Sequence, residues 1–170
     1  MHAMSETQSR TDFARDLRLV NALGEAIGKP LFDEISMPNC PAPDLGQLVA
    51  LIEGHTFHFQ CESELQNGLK HLFTENQVPW IREFRMSPND RLDFLVFTSD
   101  VGRVGVEVKT GGGLSDLVRQ LHRYAQGQDE SQGAPFLKSI LVVTSRMGLC
   151  RLPEILAGVP VHVALVGGGI

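Results

Sequence analysis

Two strand-like runs, Arg91-Leu92-Asp93-Phe94-Leu95-Val96-Phe97 and Arg103-Val104-Gly105-Val106-Glu107-Val108-Lys109, flank Thr98-Ser99-Asp100-Val101-Gly102 and constrain the fold more than any other stretch. The small, polar and glycine residues between them suit a hairpin loop. Pairing Phe97 with Arg103 sets Asp93 opposite Glu107. Strand side chains alternate faces, so this register gathers Leu92, Phe94, Val96, Val104, Val106 and Val108 on one apolar face and leaves Asp93, Glu107 and Lys109 on the other. Two carboxylates facing each other on neighbouring strands have Cβ atoms about 5 Å apart and repel unless something positive lies between them. A divalent cation such as Mg²⁺ answers that need, because it takes oxygen ligands, commonly one or two carboxylates plus water and substrate phosphates. Lys109 would stand beside it as a compact positive charge. The plainer alternative is a surface hairpin carrying an exposed ion pair, which contributes little. Against that stands the setting of Asp93 among Leu92, Phe94, Leu95, Val96 and Phe97, where an ionised carboxylate is costly without a partner or a metal.

A length of 170 residues with 42% hydrophobic content fits one globular domain with core enough to need no staples. No apolar run approaches a membrane span, and the start lacks a basic region followed by an apolar core, which predicts a soluble, unsecreted chain. Cys40, Cys61 and Cys150 are odd in number and widely scattered, which argues against a disulfide framework and points to a reducing cytoplasm. The net charge of −5 is unevenly spread. Residues 1–77 hold five Lys/Arg against eleven Asp/Glu, whereas residues 78–124 hold seven against six. With Asp93 and Glu107 neutralised by metal, Arg82, Arg85, Arg91, Arg103, Lys109, Arg119 and Arg123 leave that section locally basic and able to meet phosphates.

Residues 1–10 are polar and read as frayed, and Phe13, Leu17 and Val20 recur at helical spacing. Pro30, Pro38, Pro41 and Pro43 punctuate an irregular connection before Asp44, an N-cap for an amphipathic Leu45–Ile52 segment. Residues 1–55 thus form a helical accessory segment, and residues 56–170 the core of what is one compact unit. From Cys61 to Thr74, Leu65, Leu69, Leu72 and Phe73 mark an amphipathic helix, with Glu62 extending the stripe one turn back. A strand over Val78–Met86, a Ser87-Pro88-Asn89-Asp90 turn and the central hairpin follow. The Gly111-Gly112-Gly113 loop leads into a helix over Ser115–Gln126, then come buried strands at Ser139–Thr144 and Val159–Val166 with a short helix Leu152–Leu156 between them. The order α-β-β-β-α-β-α-β predicts an α/β (α+β) architecture, a central mixed sheet flanked by helices.

An acid, then Glu107-x-Lys109, then Gln120-x-x-x-Tyr124 on the following helix: in this order the chain resembles the PD-(D/E)xK nuclease superfamily, particularly its RecB-like branch, over residues 61–166. Leu92-Asp93 stands where the name-giving pattern has Pro-Asp. The resemblance implies a restriction-endonuclease-like core and a metal-dependent deoxyribonuclease. Asp93, Glu107, the Val108 carbonyl and Glu62 would hold Mg²⁺ or Mn²⁺, with Glu64 competing for the place of Glu62. Lys109 would orient the attacking water or stabilise the phosphate, and Gln120 and Tyr124 would support the site or orient the scissile strand. Arg119 and Arg123, beside that motif, and Arg91 would address the DNA backbone. Duplex cutting by so small a domain implies a homodimer. The acidic N-terminal segment could bind a protein partner or shield the DNA surface.

Other signals weigh less. Cys40, His55, His58 and Cys61 invite a zinc reading at an unusual spacing, and Thr56-Phe57-His58-Phe59 reads equally as a short strand. His71 and His122 read as surface groups and Trp80 as core. A ring packed on the sheet competes with DNA contact for Tyr124. The competing function is a non-catalytic nucleic-acid-binding or protein-interaction module on the same fold.

Overall fold

The computed structural model describes residues 3–26, 28–129 and 133–167, with side chains from residue 10 onward. Its helices are α1 (Ala3–Ala26), α2 (Leu45–Glu53), α3 (Glu62–Glu75) and α4 (Leu114–Ala125). Its strands are β1 (Glu34–Ser36), β2 (Trp80–Ser87), β3 (Asp90–Thr98), β4 (Gly102–Lys109), β5 (Gln128–Asp129), β6 (Ala134–Pro135), β7 (Ser139–Thr144), β8 (Ile155–Leu156) and β9 (Val159–Leu165). Seven strands form one sheet in the order β1-β2-β3-β4-β7-β9-β8, and β5 and β6 form a separate small ribbon. The β1-to-β4 side is antiparallel, β4-β7-β9 run parallel, and β8 closes that edge antiparallel. The architecture is α+β, a large mixed sheet between helices.

The hairpin register is the one its apolar face demands: Phe97 pairs with Arg103 and Phe94 with Val106. The loop closes at Gly102, whose φ of +94° a side chain would resist. Gly105 serves a different need. A Cβ there would stand 2.7 Å from Leu137 Cδ1, so any larger residue would have to displace the buried Leu137 side chain packed over the strand. Phe94, Val96, Val104, Val106 and Val108 pack against α2 and α3 on one face of the sheet. Leu95, Phe97, Ile140 and Val142 pack against α1 and α4 on the other. Strand β7 is buried along its whole length, as the unbroken apolar run Ile140–Val143 requires.

The segment before the hairpin is woven into the same body. Strand β1 pairs with β2, and Leu48 and Ile52 of α2 are fully buried. Asp44 caps α2 through a reciprocal bond pattern with Gln47, and Asp100 at the hairpin tip accepts the Leu45 N–H at 3.0 Å.

Several sequence expectations are corrected. Residues 3–10 belong to α1 rather than fraying, and the proline-rich connection contains β1. The expected Leu152–Leu156 helix is a 3-10 turn at Met147–Arg151 followed by β8, because Pro153 stops helical continuation and the Ala157-Gly158 turn, with φ of +47° and +81°, folds a hairpin onto β9. The order therefore departs from α-β-β-β-α-β-α-β at this point and through the β5/β6 ribbon. Residues 56–59 form no strand. No helix among the described residues is long and apolar enough to cross a membrane.

Candidate active site

The acids of the hairpin reach one place because two neighbouring strands break their alternation at the same level. Residues three apart on a regular strand face opposite sides, yet Ile81 and Phe84 share one core cluster, and so do Leu92 and Leu95. On β2 the break is Glu83, whose φ is +56°. On β3 it falls at Asp93. Leu92 is thereby corrected from the Phe94 face to the α4 side. The flanking pairs Arg82↔Phe94 and Phe84↔Leu92 put Glu83 level with Asp93, and Phe94↔Val106 ends the β3–β4 ladder one residue before Asp93 and Glu107. Three carboxylates thus stand in a row across β2, β3 and β4.

A pocket of about 400 Å³ opens at this row. Its wall includes Glu62, Asp93, Glu107, Lys109, Gln120 and Tyr124, with Arg91 and Arg123 also on it. Asp93 Oδ2 accepts the Val108 N–H at 2.7 Å and Oδ1 accepts the Gln66 carboxamide at 2.9 Å. Gln120 divides its amide between Glu107 Oε1 at 2.8 Å and the Tyr124 hydroxyl at 2.6 Å. That hydroxyl lies 2.7 Å from the Arg91 carbonyl, to which it donates. Glu62 Oε2 accepts the Thr110 N–H at 3.3 Å, and Oε1 lies 3.8 Å from Lys109 Nζ. Thr144 donates to the Lys109 carbonyl at 2.5 Å, which fixes the end of β4.

Burial dominates the electrostatics. Desolvation pushes Glu107 well above the ordinary glutamate range, the Asp93 charge adds to it, and Lys109 works against both. Burial likewise raises Asp93, the Val108 N–H opposes it, and the Glu62 and Glu83 carboxylates add to the rise. Tyr124 is raised by burial and then by Glu107, so it remains a neutral donor.

The arrangement differs from expectation in particular places. Val108 enters through its N–H to Asp93. Arg119 lies outside the pocket lining, with a side chain 71% exposed that pairs with Asp116 on its own helix. Arg91 and Arg123 do line the pocket, and each holds a carboxylate: Arg91 pairs with Glu83 at 2.5 Å and Arg123 with Asp90 at 2.8 Å. Glu62 faces the pocket, whereas Glu64 accepts the Gln60 N–H at 2.6 Å away from it. Tyr124 is 1% exposed, so its ring belongs to the core and only its hydroxyl serves the site. Cys40 bonds the Gln77 carbonyl and His55 packs edge-on against Phe57, and among the described residues Cys40, His55, His58 and Cys61 do not form a group that could hold a metal ion.

Glu83, Gln66 and Asp90 are site residues that the sequence reading did not assign to the site, and Arg85, expected only as part of the basic section, lines the pocket as well. Counting back from the Ser87–Asp90 turn sets Phe84 opposite Asp93, and it is the one-residue register shift between Arg85 and Ser87 that brings Glu83 there instead; Gln66 lies four residues beyond Glu62 on the same helix face. Among the described residues no group of three or more His, Cys, Asp or Glu side chains is arranged to hold a metal ion. The site offers a pair of hard oxygen donors beside an ammonium. Comparison with protein-family models, curated proteins and solved structures returns no match for this chain.

Proposed function

We propose that this chain is a metal-dependent deoxyribonuclease that hydrolyses DNA phosphodiester bonds endonucleolytically on a restriction-endonuclease-like core. The observation that carries the reading is the meeting of Asp93, Glu107 and Lys109 in one pocket with Gln120 and Tyr124 behind Glu107. The succession α3-β2-β3-β4-α4-β7, antiparallel up to β4 and parallel beyond it, supports that assignment of the core.

The donor chemistry suits Mg²⁺ or Mn²⁺. Asp93 and Glu107 present only oxygens, their hydrogen-bonding partners are neutral, and a hard cation is commonly held by one or two carboxylates with water and substrate filling the rest. Glu62 and the Val108 carbonyl are the further candidate donors. Once bound, such an ion would lower the pKa of water and offset the negative charge that grows on the phosphoryl and leaving oxygens. Lys109 holds its ammonium at the mouth of β4, where it orients the attacking water or stabilises the phosphate. Gln120 and Tyr124 keep Glu107 aimed into the pocket. Arg91 and Arg123 exchange their carboxylates for backbone phosphates. One such site per chain makes a homodimer the form that cuts both strands of a duplex.

The test incubates wild type, Asp93→Ala and Lys109→Ala with circular and linear DNA in Mg²⁺, Mn²⁺ or chelator. Metal-dependent cutting of circles by wild type alone supports the proposal. Equal cutting by all three places the activity elsewhere. Retained DNA binding without cutting in any of them identifies a non-catalytic nucleic-acid-binding module.

A further inference from the structure

We propose that Gln66 is a positioning residue of this site, holding Asp93 in the orientation that a divalent cation requires. The inference rests on the reading of Asp93 as a metal ligand. Asp93 has one oxygen on the main-chain N–H of Val108 at 2.7 Å, which ties it to β4. Its other oxygen accepts from the Gln66 carboxamide at 2.9 Å, which ties it to α3. With both bonds made, rotation of the carboxylate about its final torsion is restrained, at a residue that lines the pocket.

The chemistry of the donor matters as much as its place. An arginine or lysine at position 66 would orient Asp93 and also neutralise it, displacing the cation that the pocket is proposed to take. A carboxamide orients without adding charge. Gln120 stands in the same relation to Glu107, at 2.8 Å from the opposite face of the sheet. Two neutral amides, one from each flanking helix, therefore hold the two acids. Gln66 can do this because α3 is itself immobilised: Leu65, Leu69 and Phe73 of that helix are fully buried. Partners of this kind, one bond removed from a metal, change its affinity by about 10- to 100-fold.

The test measures Mn²⁺ binding by titration calorimetry on wild type, Gln66→Met, Gln66→Ala and Asp93→Ala, with the thermal midpoint of each recorded in chelator. Gln66→Met keeps the length of the side chain and removes the donor. The expected result is an about 10- to 100-fold weaker Mn²⁺ affinity for both Gln66 variants at an unchanged midpoint, with cleavage recovering at saturating Mn²⁺. Wild-type affinity in Gln66→Met, or a loss that only follows a fallen midpoint in chelator, overturns the positioning role and leaves the metal reading standing. Mn²⁺ binding that is absent from wild type, or unaltered in Asp93→Ala, overturns the metal reading of Asp93 and the role of Gln66 with it.

Discussion

The two walls of the pocket are built on different terms. On the α4 side, Glu107 is 3% exposed and Tyr124 1%, and the tyrosine ring sits in the same cluster as Leu117, Leu121, Ile140 and Val142. On the α3 side, the Glu62 side chain is 35% exposed and shares itself between the Thr110 N–H and Lys109. One wall is part of the core, and the other rests on the surface. Substitutions on the α4 wall should therefore change stability and activity together, whereas on the α3 wall the two should separate.

The largest effects break the comparison at its centre. Asp93→Ala and Glu107→Ala should each lower metal-dependent DNA cleavage by about a thousandfold or more, measured as single-turnover rates, since several kcal/mol of transition-state stabilisation leave with the cation. In chelator the same acids should be a burden to the fold. Both are raised by burial, so between the ordinary carboxylate range and their higher folded values the native state holds protons that the unfolded chain has released. Stability then falls as pH rises. Thermal midpoints in chelator should decline from pH 5 to pH 9, Mg²⁺ should reduce the decline, and Glu107→Gln should flatten it. A midpoint that climbs over that range contradicts the burial of these groups.

Tyr124→Phe sharpens the contrast. It removes the bond to the Arg91 carbonyl and leaves buried acceptors short of a donor, so we expect a loss of about 1–3 kcal/mol in denaturant unfolding together with slower cleavage. Glu62→Gln, on the opposite wall, should slow cleavage while leaving unfolding within about 0.5 kcal/mol of wild type. The smallest effect belongs to Arg123→Ala. Its side chain is half exposed, so DNA affinity should weaken alike for all sequences, and the slope of log affinity against log salt should shrink by about one. Sequence-selective weakening would instead make Arg123 a base reader.

What the sequence made legible follows from where its periodicity is strict. The hairpin register from Phe94 to Gly102, the capping of α2 by Asp44, and β7 lie in segments whose alternation or cap chemistry admits one solution, and that register was enough to bring Asp93, Glu107 and Lys109 to one pocket although β3 breaks step at Asp93. Leu92 was misplaced because alternation was carried through Asp93, where β3 breaks step beside the left-handed Glu83, a backbone state that no residue type in β2 announces. Arg119 sits next to Gln120 in the sequence, and its pairing with Asp116, three residues earlier on α4, is the local contact that helical spacing allows. Strand β8 is two residues long, and its existence depends on a partner, β9, that only the assembled sheet supplies.

Strand β1 is three residues long and easily overlooked, yet it lies along the outer margin of β2, whose opposite side carries the acid row. Shortening the chain to residues 56–170 would strip that margin, offer a raw row of peptide groups to any other strand, and empty the seats of Leu48 and Ile52. The opening third of the molecule is a sheath, and removing it would leave the residues of the acid row in place while exposing an edge that other strands could pair with.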